Sequence, residues 1–189
     1  VYVGFGSMAG REPERRTELV LEALARSEQR GVLLTGWGGL QPSDLPDSVY
    51  AIDSAPHDWL FPQMAALVHH GGAGTTAAGL RAGNPSVIVP FFGDQPFWGK
   101  RVADLGVGPQ PIAQKHLTAE RLAAAIRTAT TNQAMQEQAR GLAQRISQED
   151  GIARAVEVFH TDIQPARHMF MLQPAAEQLA GALTLAPRR

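Results

Sequence analysis

Six consecutive small residues, Gly71-Gly72-Ala73-Gly74-Thr75-Thr76, lie between an apolar run and a helix-like segment. Glycines let a backbone approach a ligand closely. The amides and dipole of a following helix attract an anion. Thr75 and Thr76 add hydroxyl donors, so the chemistry that fits is a phosphate or diphosphate held by N–H and O–H groups. The same run also reads as a tight strand-to-helix turn that binds nothing, and the residues alone leave both open. It is not a P-loop, because no lysine follows the last glycine.

Other polar groups stand near the ends of apolar runs. His69 and His70 are adjacent at a strand end, where successive side chains point to opposite faces, so one enters the crevice above the sheet and the other a core or flank. They make a poor metal pair, with no carboxylate at ligand spacing, and no metal site is expected. Ser7 follows the first run, Val1–Phe5, and offers a second hydroxyl to the same crevice. Asp94-Gln95 sets a carboxylate beside an amide, a combination of acceptors and donors suited to a sugar ring. From spacing alone the better reading of Asp94 is the N-cap of a helix that begins at Gln95, and it could serve in both ways. Trp59 and Trp98 read as core or interface residues.

The elements that must position these groups follow from periodicity. Strand-like runs cover 1–5, 32–35, 49–52, 65–68 and 86–89, and a sixth, proline-broken run covers Val107–Ile112. Helical spacing links Leu19, Val20, Ala23 and Leu24 behind Pro13, and Gly74–Ala82 closes at Gly83. Further helices span Gln95–Leu105, a segment capped by Thr118 with Leu122, Ile126 and Ala129 on one face, and two stripes, one through Met135, Ala139, Leu142 and Ile146 and one through Ile152, Val156 and Phe159. Strands alternating with helices predict an α/β fold, a Rossmann-like parallel sheet with helices on both faces. The tail after 160 reads as an appendage with a helix over Ala175–Leu183.

The 189 residues suffice for one well-cored domain. At 44% hydrophobic and 19% charged, the chain is globular rather than disordered. A net charge of −1 gives no basic field for nucleic acid, and no nucleic-acid partner is expected. Cysteine is absent, which excludes disulfides, iron–sulfur clusters and thiol nucleophiles. No apolar run approaches the roughly 20 residues of a membrane span. The chain opens at Val1 inside a strand-like run and reads as a fragment of a longer protein.

Four segments taken together resemble a known family: Ala55-Pro56-His57, then Leu67 to Thr76, then Gly79 to Gly83, then Val89 to Gly99. They are similar to the nucleotide-sugar domain of GT-B glycosyltransferases of family 1, in the flavour of the sterol 3-β-glucosyltransferase branch, and the match covers about residues 1–160. The resemblance implies a UDP-sugar donor site, with UDP-glucose or a related nucleotide sugar as donor and no cofactor or metal. It assigns Ser7, His69, Gly71, Gly72, Ala73, Gly74 and Thr75 to the diphosphate, Ser54, Ala55 and His57 to the nucleoside, and Asp94 and Gln95 to the sugar. Ser54 stands where plant members stack the base on a tryptophan, and Ala77 where they place a ribose-binding glutamate.

The resemblance further implies an inverting, metal-independent transfer to a sterol or other lipophilic hydroxyl. The catalytic base, a histidine, and its assisting acid belong to an N-terminal domain outside this chain, so no catalytic residue is assigned here and the isolated chain is expected to be inactive. Residues 161–189 are expected to dock on that domain. A cytoplasmic location is implied, with peripheral membrane contact an option. Two rival readings remain. One is a non-catalytic nucleotide-sugar-binding module. The other is an NAD-dependent oxidoreductase domain, since Gly4-Phe5-Gly6-Ser7-Met8-Ala9 fits G-x-G-x-x-A, although Thr35-Gly36 stands where the ribose-binding acid belongs.

Overall fold

The computed structural model describes residues 1–6, 13–35, 40 and 44–163. They fall in two compact units, 1–147 and 148–189. In the first, five strands form one parallel sheet: β1 (Tyr2–Gly4), β2 (Gly31–Leu34), β3 (Val49–Ile52), β4 (Leu67–His69) and β5 (Ser86–Ile88). The order is β3-β2-β1-β4-β5. The chain winds outward from β1 to β3, returns, and winds the other way through β4 and β5. The seam between β1 and β4 is therefore a topological switch point, where open α/β sheets leave a crevice beyond the carboxyl ends of their strands.

Alternation along the strands sorts the core. Val3, Phe5, Leu33, Val68 and Val87 face α1 (Pro13–Arg26) and α5 (Ala119–Thr131), which contribute Val20, Leu24, Leu122 and Ile126. Tyr2 and Leu67 face the opposite way, toward Leu60 and Phe61. Those two residues belong to the short α2 (His57–Leu60) and the 3-10 turn Phe61–Gln63 after it. Ile88 packs with Val102 of α4 (Gln95–Asp104) and Ala139 of α6 (Gln133–Ile146). Both faces are covered, as a parallel sheet requires. Each fully buried Leu, Ile or Phe contributes about 1.5–3 kcal/mol.

Most expected boundaries hold to within a residue or two. Thr118 caps α5 by accepting the Arg121 amide. α3 (Ala73–Ala82) ends at Gly83, whose φ of 75° only glycine adopts without strain. Asn84 then donates its side-chain amide to the carbonyl oxygens of Phe61 and Met64. The sixth strand is not formed. Residues 107–112 run beside β5 with two backbone bonds, Ser86 N–H to Val107 at 3.1 Å and Ile112 N–H to Ile88 at 2.9 Å. Pro109 and Pro111 lack the amides that a ladder would need. Gly108 is required there, because a Cβ would lie 2.1 Å from the Ser86 carbonyl oxygen.

In the second unit, α7 (Gly151–Val158) is capped by Asp150, which accepts the Ala153 amide at 2.9 Å, and runs on into a π-helical stretch, Phe159–Ile163. The helix expected over Ala175–Leu183 and the docking role of residues 161–189 lie outside the described residues, save the first few residues of that tail.

Candidate donor site

The crevice at the β1/β4 seam gathers the ends of three segments. β1 runs out through Phe5 to Gly6, which turns at φ 59°. Ser7 lies outside the described residues. β4 runs out through His69 and His70 to Gly71, at φ 87°. Gly72 then caps α3 with an extended backbone, and the Thr76 amide closes the first turn on the Gly72 carbonyl at 2.9 Å. No acidic residue stands in that first turn. The leading amides of a helix have no acceptor within it, so Ala73, Gly74 and Thr75 present N–H groups at the crevice with the positive end of the dipole behind them.

The glycines of this loop do different things. At Gly71 a Cβ would lie 2.6 Å from Ile88, so the loop is pressed against β5. At Gly72 it would lie 2.5 Å from Nε2 of His70. At Gly74 it would meet nothing within 4 Å, so that position opens onto the crevice. Ala73 and Gly74 are exposed and Thr75 half-buried, whereas Thr76 is buried with its hydroxyl unpartnered. Of the two threonines, Thr75 is therefore the one that offers a hydroxyl outward.

The histidine pair is resolved against expectation. His69 is 0% exposed, and its Nδ1 accepts the Gly71 amide at 3.2 Å. Burial, with the neighbouring His70 and His57 adding to it, pushes its pKa down to about 3. His69 thus shapes the loop from inside the sheet and does not reach the crevice. It alternates with Val68 and falls on the Leu67 face. The half-exposed histidine is His70, lodged between Gly6 and Gly72 and within 3.2 Å of a Cβ placed at Gly6. Burial lowers its pKa, while the Asp94 carboxylate raises it, so Asp94 bears on it electrostatically.

Asp94 is exposed at the start of α4. Its φ and ψ of −83° and −6° are helical, and its side chain makes no cap bond. The carboxylate instead accepts the indole N–H of Trp98 through Oδ2 at 2.8 Å. The capping role is thereby corrected. Gln95 differs from expectation too. It is 4% exposed, and its Oε1 accepts the amides of Phe91 at 2.7 Å and Phe92 at 3.2 Å. Gln95 closes the loop after β5, which leaves Asp94 as the exposed polar side chain of the pair.

At the end of β3, Ser54 is exposed and Ala55 half-buried against the Tyr2–Phe61 cluster. His57 stacks on Phe61 with ring centroids 4.3 Å apart and meets Tyr2 edge-on at 6.0 Å. Burial lowers its pKa, partly offset by Asp58. Thr35, at the end of β2, donates its hydroxyl to Asp53 at 2.9 Å, so a neutral residue fills the position where a dinucleotide fold would place its ribose acid. Among the described residues no three His, Asp or Glu side chains cluster as metal ligands, and no helix is long and apolar enough to cross a membrane.

Residues 19–156 match the erythromycin biosynthesis protein CIII-like C-terminal domain. The chain belongs to that family. Its relatives include sterol 3-beta-glucosyltransferase UGT80A2 of Arabidopsis thaliana, 50% identical over 168 residues, a match covering 88% of this chain and 26% of the relative. The sterol 3-beta-glucosyltransferase of Saccharomyces cerevisiae (strain YJM789) is 45% identical over 175 residues, covering 88% and 14% respectively. The chain thus spans about a quarter or less of the length of these curated relatives. Among solved structures, the glycotransferase of kitacinnamycin superposes with a TM-score of 0.73 at 25% identity over 84% of this chain and 41% of that one. The calicheamicin glycosyltransferase CalG4 gives 0.73 at 25% identity over 84% and 42%. The fold is that of a GT-B glycosyltransferase C-terminal domain. The oxidoreductase reading is not favoured.

Sequence reasoning passed over two residues of this site. His70 was half visible in strand alternation, which required one histidine of the pair to leave the core. Trp98 carried a signal of its own, because residues four apart on a helix face each other and Asp94 stands four before it.

Proposed function

We propose that this domain binds the UDP-sugar donor, UDP-glucose in the first instance, of an inverting glycosyltransferase acting on a sterol or other lipophilic hydroxyl. The observation that carries the reading is the seam itself. The acid-free amino end of α3 opens at Gly74 onto the crevice between β1 and β4, with Asp94 at its rim. The diphosphate would lie on the amides of Ala73, Gly74 and Thr75, with His70 beside it. The nucleoside would extend toward Ser54, Ala55 and His57, and the sugar toward Asp94. As the bond to the anomeric carbon breaks, negative charge grows on the diphosphate, and pre-oriented amides stabilise it without reorganising.

The base that deprotonates the acceptor and the pocket that holds it would belong to the portion of the relatives outside this match. The chain alone would then bind donor and transfer nothing. The amides and helix dipole supply the positive field, so binding would need no divalent cation. Calorimetry of the chain with UDP and UDP-glucose, with and without EDTA, tests this. Binding of both, unchanged by chelation, is expected, and loss of binding on chelation would overturn the metal-independent site. A non-catalytic module would show the same binding but no transfer once the complete protein is assayed with a sterol.

A further inference from the structure

We propose that Trp98 is a positioning residue for sugar recognition: its indole N–H holds one oxygen of Asp94 so that the other is presented to a hydroxyl of the donor sugar. This rests on the donor reading above. An aspartate at the head of a helix ordinarily folds its carboxylate back onto the amides of the first turn. Asp94 does not, since its backbone is already helical and its side chain makes no cap bond. The carboxylate is claimed by Trp98, four residues on, at 2.8 Å.

The framework on both sides of this contact is fixed. The Trp98 amide donates to the Asp94 carbonyl oxygen at 3.1 Å, so the two residues occupy successive helical turns. Phe97 packs edge-on against the Trp98 ring at 5.2 Å. Ahead of Asp94, Gly93 turns at φ 66° with nothing within 4 Å of where a Cβ would stand, and Gln95 gathers the Phe91 and Phe92 amides on its buried carboxamide. A carboxylate on this mount has its Oδ2 committed and its torsion restrained. Oδ1 keeps its lone pairs for an incoming O–H. An exposed aspartate without the indole would sample several rotamers and would lose entropy on each binding event. A restrained one is pre-organised, and the gain falls only on the ligand that carries the sugar.

The test uses the whole 189-residue chain and two ligands. Trp98→Phe keeps the ring and removes the donor. It is expected to weaken UDP-glucose about 3- to 10-fold, as loss of one neutral-donor hydrogen bond implies, and to leave UDP within about twofold. Trp98→His, which restores a ring N–H, is expected to recover part of the loss. In Asp94→Ala, which removes the acceptor of the indole N–H, the Trp98→Phe change should have no further effect on UDP-glucose. Should Trp98→Phe fail to fold, the indole proton of the unsubstituted chain gives the same answer by nuclear magnetic resonance. It should shift on saturation with UDP-glucose but not on saturation with UDP, and move upfield in Asp94→Ala, where its acceptor is gone. Equal weakening of both ligands, no change in either, or an indole proton indifferent to the sugar would overturn the assignment. Failure of the unsubstituted chain to bind UDP would instead overturn the donor reading, and this inference with it.

Discussion

The Gly71 amide donates to Nδ1 of His69 at 3.2 Å, and the imidazole that receives it is wholly enclosed. A loop that opens toward solvent is therefore set by a side chain behind the sheet. The enclosed ring must stay neutral, because protonation would turn Nδ1 from an acceptor into a donor facing another donor.

That requirement fixes a pH dependence. The folded pKa of His69 is pushed down to about 3 from an ordinary value near 6.5. The unfolded chain thus takes up a proton between those values that the folded chain refuses. Stability from this group is fully present above pH 6.5 and falls as pH drops through the window, by up to about 1.4 kcal/mol per pH unit. His57 and His70, lowered by burial as well, act with the same sign. The melting temperature should fall between pH 7 and pH 4.5. His69→Gln, which retains an acceptor and cannot titrate, should flatten part of that slope. An identical slope in the variant would remove His69 from the account.

The two histidines should separate in a binding assay. His70→Ala should weaken UDP and UDP-glucose alike, by about tenfold if a hydrogen bond to a charged phosphate is lost. Its effect on the melting temperature should be small. His69→Ala should first lower the melting temperature, since it leaves the buried Gly71 amide without its acceptor, at a cost of about 1–3 kcal/mol. Paired calorimetry and thermal melts on both variants distinguish the roles, and the reverse pattern would return His69 to the crevice.

Gly74 offers a substitution in which fold and ligand pull apart. A methyl there meets nothing within 4 Å, and alanine is a better helix former by up to about 1 kcal/mol. Gly74→Ala should hold or raise the melting temperature while weakening UDP, because the methyl stands where the diphosphate must approach. Unchanged UDP affinity would show that the ligand does not lie over this turn.

Asp94→Ala should cost helix α4 little, since no cap bond is removed. It should weaken UDP-glucose by about tenfold and UDP hardly at all. A lowered melting temperature with equal losses for both ligands would make Asp94 a structural residue after all.

Much of this arrangement was legible in the chain itself. Alternating apolar runs and helical stripes located β1 to β5 and the helices between them, and glycines such as Gly83 marked where those helices stop. Position within the site was harder to read. Strand alternation sends one of His69 and His70 inward but does not say which, because the choice depends on the registry of β4 with β1, where Gly4 pairs with His69. The amide of Gln95 is as suited to a sugar as to a backbone, and only the turn from Phe91 to Asp94 shows that its Oε1 accepts backbone amides. Residues 107–112 carried the hydropathy of a strand, but Pro109 and Pro111 lack the backbone donors that define one.

The Asn84 side chain, tied to the Phe61 and Met64 carbonyl oxygens, sets a fixed gauge length inside the domain. It moors the far end of α3 to the segment that follows His57, so the helix that would receive phosphate and the turn that would receive a base form one rigid caliper. If the donor lies as proposed, such a caliper would set the distance from base to second phosphate. A nucleoside monophosphate would span only part of that distance, and a longer polyphosphate would overrun it toward Asp94, where like charge repels.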